Sequence, residues 1–471
     1  MTPTRRLLAG VTLAFGAALA PCRAQTTPTV RPLEYSRFVL SNGLVVLLNE
    51  DRSSPLVAVD VWYHVGAKDE TSGRIGFAHL CEHLMGEGSP NVSVPEKVFL
   101  QSIGGRSPLW ASTTEDITHF YYTLPSNQLE TALWLESDRM AAPLTVADAA
   151  HLSTVREAVR QERAQSREGP VFGLAEANTI AALFPGEHPY RNDPLGPMAD
   201  LSAANAEAVK AFCAPYYVPN NAVVSLSGDF SSPHVKTLIE KYFGGIRRGD
   251  VPARRPIPAA GSTSATRLVL EDPRARVTTL RLAWPTVGYA DPDWVPLGAL
   301  AWLLSRDRIG LLTKLLVYDR GLATRVVARS FDFEKGGLFQ IDVLSRPDSS
   351  MSEIETAVDS AIAAFSARSV RAEDLEAFRR ANAVSAITSL QTRAARADTL
   401  AHGEVFAGDP VVYAKQVNAV AALTPNDVER AVRRFLGANR MVMSMIPGGR
   451  LDLISKPELP YTRVSSPAGK P

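Results

Sequence analysis

Two histidines and a glutamate lie close together in the sequence, at His79, Glu82 and His83, in the pattern H-x-x-E-H. If this segment is a helix, the two histidines are four residues apart and project from one face. Two imidazoles placed in this way can bind one Zn²⁺ ion. The glutamate beside them can then take a proton from an activated water, so the pattern predicts metal-assisted hydrolysis, most often of a peptide bond. The alternative is an amphipathic helix whose histidine spacing only resembles a metal site.

A catalytic zinc site has three protein ligands and one open position, so a third ligand is expected further along the chain. Residues 154–166 have the pattern of a helix that carries acidic and basic side chains. This region offers Glu157, Glu162 and, just beyond it, Glu168. Spacing alone does not choose among these three glutamates, and any of them can equally be a solvated surface residue.

The segment that contains the motif, residues 65–84, resembles the pitrilysin family of zinc peptidases, the inverzincins. This family includes mitochondrial processing peptidase and insulin-degrading enzyme. Further matching segments follow the order of the family, and the first of them has Asn42-Gly43 as a hairpin turn. The resemblance covers most of residues 33–250, and more weakly the remainder to about 450, as in the half-length bacterial members of the family. The matching segments are residues 38–47, 135–140, 188–190, 217–229 and 241–244.

The resemblance implies a role for each candidate residue of the metal site. The family places its distal ligand at the end of a run that residues 156–162 match, which makes Glu162 the third ligand. His79, His83 and Glu162 would then hold one Zn²⁺ per chain, with Glu82 as the general base. Relatives often carry another acidic residue seven positions before the distal ligand, where this chain has Val155. Glu157 is the candidate to replace it in supporting the ligands, although it lies on a different part of the helix.

Two departures from the family concern the binding of substrate. Relatives have an Asn-Ala pair on the edge strand that holds the substrate backbone, and here Trp110 and Ala111 stand at the matching positions. Trp110 either narrows the pocket or packs inward, with the alignment shifted by one residue. Active relatives also have an Arg and a Tyr in the second domain, but residues 310–313 contain neither. Arg308 and Tyr318 are nearby in the sequence and do not match the pattern.

The missing Arg and Tyr affect the prediction of partners. In half-length relatives these residues can come from a separate, metal-free subunit, so the resemblance implies a heterodimer with a homologous chain. A homodimer could enclose a chamber but could not supply the missing pair. The rival interpretation is a non-catalytic subunit that has kept the fold.

The chain organisation agrees with two similar domains. A length of 471 residues, with 45% hydrophobic and 21% charged residues, predicts two or three globular domains. We expect a zinc-binding domain at 33–250, a linker at 251–266, a metal-free homologous domain at 267–455 and a tail at 456–471. Residues 440–445 echo residues 221–226, which indicates an internal duplication. The resemblance implies an α+β fold in which two such domains, each a mainly antiparallel sheet packed with helices, face each other across a cleft.

The second domain has its own counterpart of the zinc helix at residues 295–304, which contains no histidine and no glutamate. Only the first domain is therefore expected to bind the metal. Cys81 and Cys213 are the two cysteines that remain after the predicted signal peptide, so no disulfide framework is expected. Cys81 is predicted to be a small buried packing residue rather than a fourth ligand, because a fourth protein ligand would close the open position.

The N-terminus has the layout of a signal peptide over residues 1–24. Arg5 and Arg6 precede the apolar residues 7–20, and residues 22–24 form a tolerable cleavage triplet. Export to a bacterial periplasm is expected, by the general or the twin-arginine route. The formal net charge of +1 does not favour nucleic acid as a partner, and no later run of apolar residues is long enough to span a membrane.

Together these features predict an exported zinc-dependent endopeptidase. Its substrates are expected to be short or unfolded peptides, which would add as a strand to the edge near residues 109–113. The sequence does not separate a general scavenger of peptides from a maturation peptidase with one dedicated substrate.

Overall fold

Two six-stranded sheets, one in each half of the chain, organise the structure. The structure is a computed structural model, which describes residues 30–144, 148–258, 265–367 and 370–465. The predicted signal peptide, residues 1–24, lies outside these ranges. Within them, no helix is both long and apolar enough to cross a membrane.

The first half contains six strands and eight α-helices among the described residues. Its strands are β1 (Ser36–Val39), β2 (Val45–Glu50), β3 (Leu56–Tyr63), β4 (Arg106–Thr113), β5 (Thr118–Pro125) and β6 (Ala222–Gly228). Its helices are α1 (Phe77–Met85), α2 (Glu96–Ser102), α3 (Leu129–Ala141), α4 (Ala149–Arg163), α5 (Ala175–Leu183), α6 (Met198–Ala203), α7 (Ala206–Cys213) and α8 (Ser232–Phe243).

The second half has the same kinds of element in a similar order. Its strands are β7 (Thr266–Asp272), β8 (Thr279–Thr286), β9 (Ala323–Asp332), β10 (Gly337–Ser345), β11 (Met441–Pro447) and β12 (Thr462–Ser465). Its helices are α9 (Trp294–Ser305), α10 (Leu311–Thr313), α11 (Met351–Ala367), α12 (Ala372–Ser389), α13 (Arg393–Ala407), α14 (Val412–Ala422) and α15 (Pro425–Phe435).

The two sheets share one topology. Their strand orders are β1-β2-β6-β3-β5-β4 and β12-β7-β11-β8-β10-β9. In each sheet the late strand, β6 or β11, pairs parallel with β2 or β7 and antiparallel with β3 or β8. These late strands include the two segments whose sequences echo each other. The predicted α+β architecture of two similar, mainly antiparallel domains is therefore confirmed.

The predicted turn at Asn42-Gly43 joins β1 to β2. Gly43 has a φ of +93°, which favours glycine, and a Cβ there would lie 2.6 Å from Cβ of Asn220. The buried Asn42 side chain donates hydrogen bonds to the carbonyl oxygens of Phe243 and Ile246. The turn is thereby attached to the end of α8, which connects two of the segments that matched in the sequence.

Each half contributes a helix that covers the sheet of the other half. On α13, Leu400 and Ala401 pack against Trp62 of the first sheet. On α5, Ile180 and Leu183 pack in one cluster with apolar residues of β7 and β11 in the second sheet. The central strands are consequently covered on both faces, which explains why all seven residues of β6 are buried.

A buried network of charges also joins the two halves. The Lys68 ammonium, 4% exposed, donates to Asp116 in the first half at 2.8 Å and to Glu334 in the second half at 3.1 Å. His64 also contacts Glu334, at 2.7 Å, and the Tyr190 hydroxyl donates to Asp116 at 2.9 Å. Because the partners come from loops that are distant in the sequence, the network fixes the β9–β10 connection against the first domain.

One predicted boundary differs in the structure. Residues 456–471 were expected to form a tail, but they contain β12, which pairs parallel with β7 over Thr462–Ser465. This strand is four residues long, and it follows Pro457 and Pro460. Such a short segment has too few residues for an alternating pattern, so it is recognisable only from its pairing.

Substitution of Leu400 by alanine tests the packing of α13 on the first sheet. Leu400 is fully buried, so Leu400→Ala should lower the free energy of unfolding by about 2–5 kcal/mol through lost burial and a residual cavity. Leu459→Ala is the matched control, because Leu459 is 41% exposed and its truncation should cost less than about 1 kcal/mol. Chemical denaturation of the purified chain measures both. Equal losses in the two variants would contradict the packing described here.

Candidate active site

The two motif histidines lie on α1, a helix with one face in the core. Phe77, Leu80 and Leu84 are buried in the first domain, whereas His79 and His83 lie on the side that faces α4. The imidazole rings of the two histidines are 4.6 Å apart between centroids. The spacing of four residues therefore brings both rings to one site, as the sequence predicts.

Glu70 holds the beginning of α1. Its buried carboxylate accepts hydrogen bonds from the backbone N–H of Gly76 at 2.8 Å and of Ala78 at 2.7 Å. These N–H groups belong to the first turn, which has no partners within the helix. Burial raises the pKa of Glu70 well above its usual value, and the two backbone hydrogen bonds oppose that shift. Glu70 thus fixes the start of the helix at Phe77, two residues before the first metal-ligand candidate.

The prediction for Cys81 was wrong in one respect. Cys81 is fully buried, as expected of a packing residue, but it forms a disulfide with Cys213 of α7, with a Cα–Cα distance of 6.0 Å. The sequence contained no framework of several cysteines, so a single bond across 132 residues gave no recognisable spacing. The disulfide attaches the buried face of α1 to α7, and it leaves no thiol at this position to act as a metal ligand.

Glu162 of α4 reaches the two histidines. Its Oε2 atom lies 3.4 Å from Nε2 of His79 and 3.5 Å from Nε2 of His83, and the two Nε2 atoms are 3.2 Å apart. Ligands at about 2.0–2.1 Å from a tetrahedral zinc ion are separated from one another by about 3.3 Å. Three donors of the preferred N and O types therefore have the mutual spacing of three zinc ligands, and the residues fit the ion.

The charges of His79 and Glu162 favour metal binding at neutral pH. Burial, together with the charge of His83, lowers the pKa of His79 to about 4, so its ring is neutral and keeps a free lone pair. The hydrogen bond from His83 is the largest cause that lowers the pKa of Glu162, and the charge of His83 adds to it. Glu162 is therefore ionised and His79 is unprotonated, which are the forms that bind a metal. Burial lowers the pKa of His83, but its hydrogen bond to Glu162 outweighs that effect and raises the pKa, so this ring must release a proton when the metal binds.

Glu82 is buried beside the three donors. One of its carboxylate oxygens lies 4.0 Å from Nε2 of His79 and accepts a hydrogen bond of 2.6 Å from the Thr113 hydroxyl on β4. Burial raises the pKa of Glu82 to about 6, although the Thr113 hydrogen bond opposes that shift. A carboxylate with a pKa near neutrality is a more effective general base than an exposed one.

The support of the ligands differs from the pattern of relatives. Nδ1 of His79 is buried and has no hydrogen-bond partner among the described residues. At the position where relatives often have an acid, Val155 is buried in the core of the first domain. The Glu157 carboxylate instead binds Arg160 at 2.6 Å and Gln161 at 2.9 Å on the exposed side of α4. The structure thus does not bring Glu157 to the histidines.

Glu168, the other glutamate that spacing left open, also lies away from the metal ligands. It pairs with Nε of Arg163 at 3.4 Å. Of the three glutamates, Glu162 alone is brought within 3.5 Å of both motif histidines.

The edge strand lies next to the site, as predicted. β4 ends the first sheet, and its backbone pairs Trp110 with Tyr121 and Ala111 with Phe120 of β5. Ala111 lines a cavity of about 350 Å³ that also reaches Glu82 and His83. The side chain of Trp110 is outside the described part, so the two interpretations of that residue remain predictions. Other residues that line the cavity include Leu100, Phe120 and Tyr122.

In the second domain, α10 occupies the segment where relatives have the Arg and Tyr. Leu312 and Thr313 are buried there, and the Thr313 hydroxyl donates to the carbonyl of Ser305. Arg308 precedes the helix with a φ of +60°, and Tyr318 is 54% exposed. The segment thus packs into its own domain, in agreement with the departure noted in the sequence.

Sequence reasoning missed three supports of the site: Glu70, Thr113 and the Cys81–Cys213 disulfide. Glu70 lies in a segment that matched the family and Thr113 in one that departed from it, but nothing in their local spacing connects them to α1. Glu70 lies six residues before Gly76, which is a possible start signal for a helix. Thr113 is brought to Glu82 only by the packing of β4 on α1, which no pattern within either segment predicts.

Two family descriptions match the chain, one within the first half and the other from the end of the first half into the second. Residues 45–184 match the family described as "Insulinase (Peptidase family M16)". Residues 203–382 match the one described as "Peptidase M16 inactive domain". The division agrees with a metal site in the first half and none in the helix α9, which replaces α1 in the second.

Several curated proteins are similar to the chain. The zinc protease PqqE of Helicobacter pylori is 28% identical over 316 residues, which cover 65% of this chain and 69% of that protein. An uncharacterized zinc protease of Mycobacterium tuberculosis is 27% identical over 337 residues, covering 70% and 74%. The beta subunit of the mitochondrial-processing peptidase of Lentinula edodes is 22% identical over 415 residues, covering 84% and 86%.

Solved structures share the fold. A protease from Helicobacter pylori superposes with a TM-score of 0.81 at 22% identity, covering 88% of this chain and 100% of that one. The periplasmic protease PqqL from Escherichia coli gives a TM-score of 0.74 at 16% identity, covering 89% of this chain and 48% of that one. The chain therefore corresponds to about half of that longer protein.

Removal of single ligands tests the metal site. His83→Ala and Glu162→Gln should each lower zinc affinity by more than about 100-fold, since the loss of outer-shell partners alone costs about 10- to 100-fold. Glu157→Gln is the matched control on the same helix and should retain the affinity of the unmodified chain. Equilibrium dialysis with zinc analysis measures all three. A Glu162→Gln protein that binds zinc as well as Glu157→Gln would exclude Glu162 as a ligand.

Reduction tests the disulfide. Because the bond closes a loop across 132 residues, its loss should lower the free energy of unfolding by about 2–5 kcal/mol. Denaturation of the chain with and without a thiol reductant measures this difference. The Cys81→Ala/Cys213→Ala variant is the control and should not respond to the reductant. If the unfolding midpoint of the unmodified chain is the same with and without the reductant, the result would contradict the presence of the disulfide.

Proposed function

This chain belongs to the M16 family of peptidases, and we propose that it is an exported zinc-dependent endopeptidase that hydrolyses short or unfolded peptides. The observation that carries the proposal is the meeting of His79, His83 and Glu162 at mutual distances of 3.2–3.5 Å, with the Glu82 carboxylate beside them. A non-catalytic protein has no chemical need for Glu82 in addition to the three ligands.

In this proposal each residue of the site has one task. His79, His83 and Glu162 hold the zinc, which when bound supplies a Lewis acid that polarises a carbonyl and lowers the pKa of water. Glu82 accepts a proton from the water that attacks the carbonyl carbon. It then delivers this proton to the leaving amine nitrogen as the C–N bond breaks. Thr113 keeps the Glu82 carboxylate directed toward the attacking water.

The peptide is proposed to bind as an additional strand along β4. This strand is at the edge of its sheet, so its outer backbone groups are available to pair with an extended chain. Such pairing places few demands on sequence, which suits peptides of varied composition. One substrate side chain would enter the cavity beside Ala111, whose wall includes Leu100 and Phe120, and apolar side chains suit that wall.

A second subunit is proposed to complete the enzyme. The segment at α10 offers neither the Arg nor the Tyr of active relatives, so a homologous metal-free chain would supply them in a heterodimer. The coverage of PqqL supports pairing, because this chain matches only 48% of that longer protein. A homodimer is the alternative assembly, but neither of its chains would supply the Arg and the Tyr.

Export to the periplasm is supported by two observations. Disulfides persist in oxidising compartments and are rare in the bacterial cytosol, and the Cys81–Cys213 bond crosses the core of the first domain. The predicted signal peptide, residues 1–24, would direct the chain there. One of the similar structures is also of a protein described as periplasmic.

A non-catalytic subunit of the same fold is the second candidate. The absence of the Arg and Tyr from α10 favours it, because a chain without them would bind substrate weakly on its own. In that case the zinc site would support the fold or assembly, and a different, catalytic chain would carry the chemistry.

Cleavage by a Glu82→Gln variant separates these candidates. The variant keeps all three ligands but lacks the proton acceptor, so at equal zinc content it should cleave peptides about 100-fold more slowly or worse. The assay uses a diverse peptide library, with mass spectrometry of the products. It is run on the chain alone and together with a homologous metal-free chain from the same genome. Each run includes Glu157→Gln as a control for removal of a carboxylate on α4 that does not contact the motif histidines.

Activity that depends on Glu82 would establish the peptidase, and its appearance only with the second chain would establish the heterodimer. Absence of cleavage under both conditions, despite bound zinc, would support the non-catalytic subunit instead.

A further inference from the structure

A second group of possible metal ligands lies between the two halves, apart from the zinc-ligand set. Asp60 of β3, His119 of β5 and Asp398 of α13 each offer one ligand atom, and these three atoms lie within 4.8 Å of one another. Oδ1 of Asp60 is 3.2 Å from Nδ1 of His119. Two of the residues belong to the first sheet, and the third belongs to the helix that the second half packs against it.

One oxygen of this group has no partner. Asp60 is 1% exposed, and its Oδ2 atom is buried without a hydrogen bond from any described residue. A buried polar group left unsatisfied costs about 1–3 kcal/mol, and more when it is charged. A cation bound to Oδ2 of Asp60 would remove that cost.

The charges of the group are also unbalanced. Burial raises the pKa of Asp398 to about 7, and the negative charge of Asp60 contributes to the shift. Burial lowers the pKa of His119, but the Asp60 carboxylate outweighs that effect and raises it. When Asp398 is ionised, two carboxylates face one imidazole, and the group then carries net negative charge even with the imidazole protonated. A divalent cation would neutralise both carboxylates together.

Aromatic and apolar contacts hold the three side chains in place. The His119 ring is stacked on Tyr121 at 4.5 Å between centroids and meets the edge of Trp62 at 4.9 Å. On α13, Leu400 and Ala401 follow Asp398 closely and are fully buried against the first sheet. Packing therefore positions His119 and the helix that carries Asp398, as a preorganised site requires, while the Asp398 side chain is the least buried of the three.

We propose that Asp60, His119 and Asp398 bind a second divalent cation, Zn²⁺ or Mn²⁺, which joins α13 to the sheet of the first half. Two carboxylate oxygens and an imidazole nitrogen, without sulfur, are the donors that these ions accept. Ligands of a tetrahedral zinc ion are about 3.3 Å apart, so the three atoms, which lie within 4.8 Å of one another, must move slightly closer together when the ion binds. The proposal does not depend on peptide hydrolysis.

The test uses the full chain with His79→Ala and His83→Ala, which remove two of the three ligands of the first site. This protein is freed of metal by a chelator and titrated with Mn²⁺ alone, and the unbound ion is counted by electron paramagnetic resonance. We expect about one Mn²⁺ per chain and a higher midpoint of thermal unfolding when the ion is bound. A parallel titration with Zn²⁺ alone, with zinc analysis after dialysis, covers the other ion.

Three further variants in that background identify the ligands. Asp398→Asn and His119→Asn should each weaken binding more than about tenfold. Glu404→Gln is the matched control, because Glu404 lies on the same helix but pairs with Arg37 at 2.7 Å. Its affinity should be unchanged.

Two results would overturn the proposal. The first is that neither Mn²⁺ nor Zn²⁺ binds to the chain with the two histidine substitutions. The second is that Asp398→Asn and His119→Asn, when folded by circular dichroism, bind as tightly as the Glu404→Gln control. If both ligand variants fail to fold, the ligands are identified in the chain that carries only the two histidine substitutions. Pulsed electron paramagnetic resonance of Mn²⁺ bound to that chain detects nitrogen ligands. Coupling to an imidazole nitrogen supports the site, and its absence overturns it.

Discussion

The site depends on the contacts that hold α1 in place, which are the hydrogen bonds to Glu70 and the Cys81–Cys213 disulfide. A nine-residue helix is too short to be stable alone in water, yet it must keep two imidazoles 3.2 Å apart between their Nε2 atoms. Glu70 satisfies the first backbone N–H groups of the helix, and the Cys81 disulfide holds its buried face. Without an ion, two imidazole nitrogens at this distance do not attract each other. The contacts of α1 with the rest of the first domain must therefore hold the two rings together.

The exchange of helices between the halves extends this constraint to the whole chain. α13 packs on the first sheet and α5 on the second, so neither half can bury its sheet without the other. β4 and β5, which lie next to α1, belong to the first sheet and are therefore held by the packing of α13 on that sheet. The duplicated half performs this supporting role while its own helix α9 has become apolar, with Leu297, Leu300 and Leu304 buried where a metal site would require polar donors.

The sequence was sufficient for the parts of the site that local periodicity or a family motif encodes. His79 and His83 follow from a spacing of four on a helix, and Glu162 followed from a motif once the resemblance was recognised. The contacts of Thr113 with Glu82 and of Glu70 with α1 join segments whose approach depends on tertiary packing. The disulfide was missed because two cysteines without a repeated spacing carry no pairing signal. The last strand was missed because a four-residue segment has no measurable period.

The most direct measurement is X-ray absorption at the zinc edge of the zinc-loaded chain. The account predicts a first shell of nitrogen and oxygen at about 2.0–2.1 Å, with imidazole scattering from two histidines and one exchangeable position. The same spectrum from Glu162→Gln should lose an oxygen neighbour or show no bound zinc. A sulfur shell at about 2.3 Å would contradict the account, because it would place Cys81 on the metal instead of in the disulfide that positions α1.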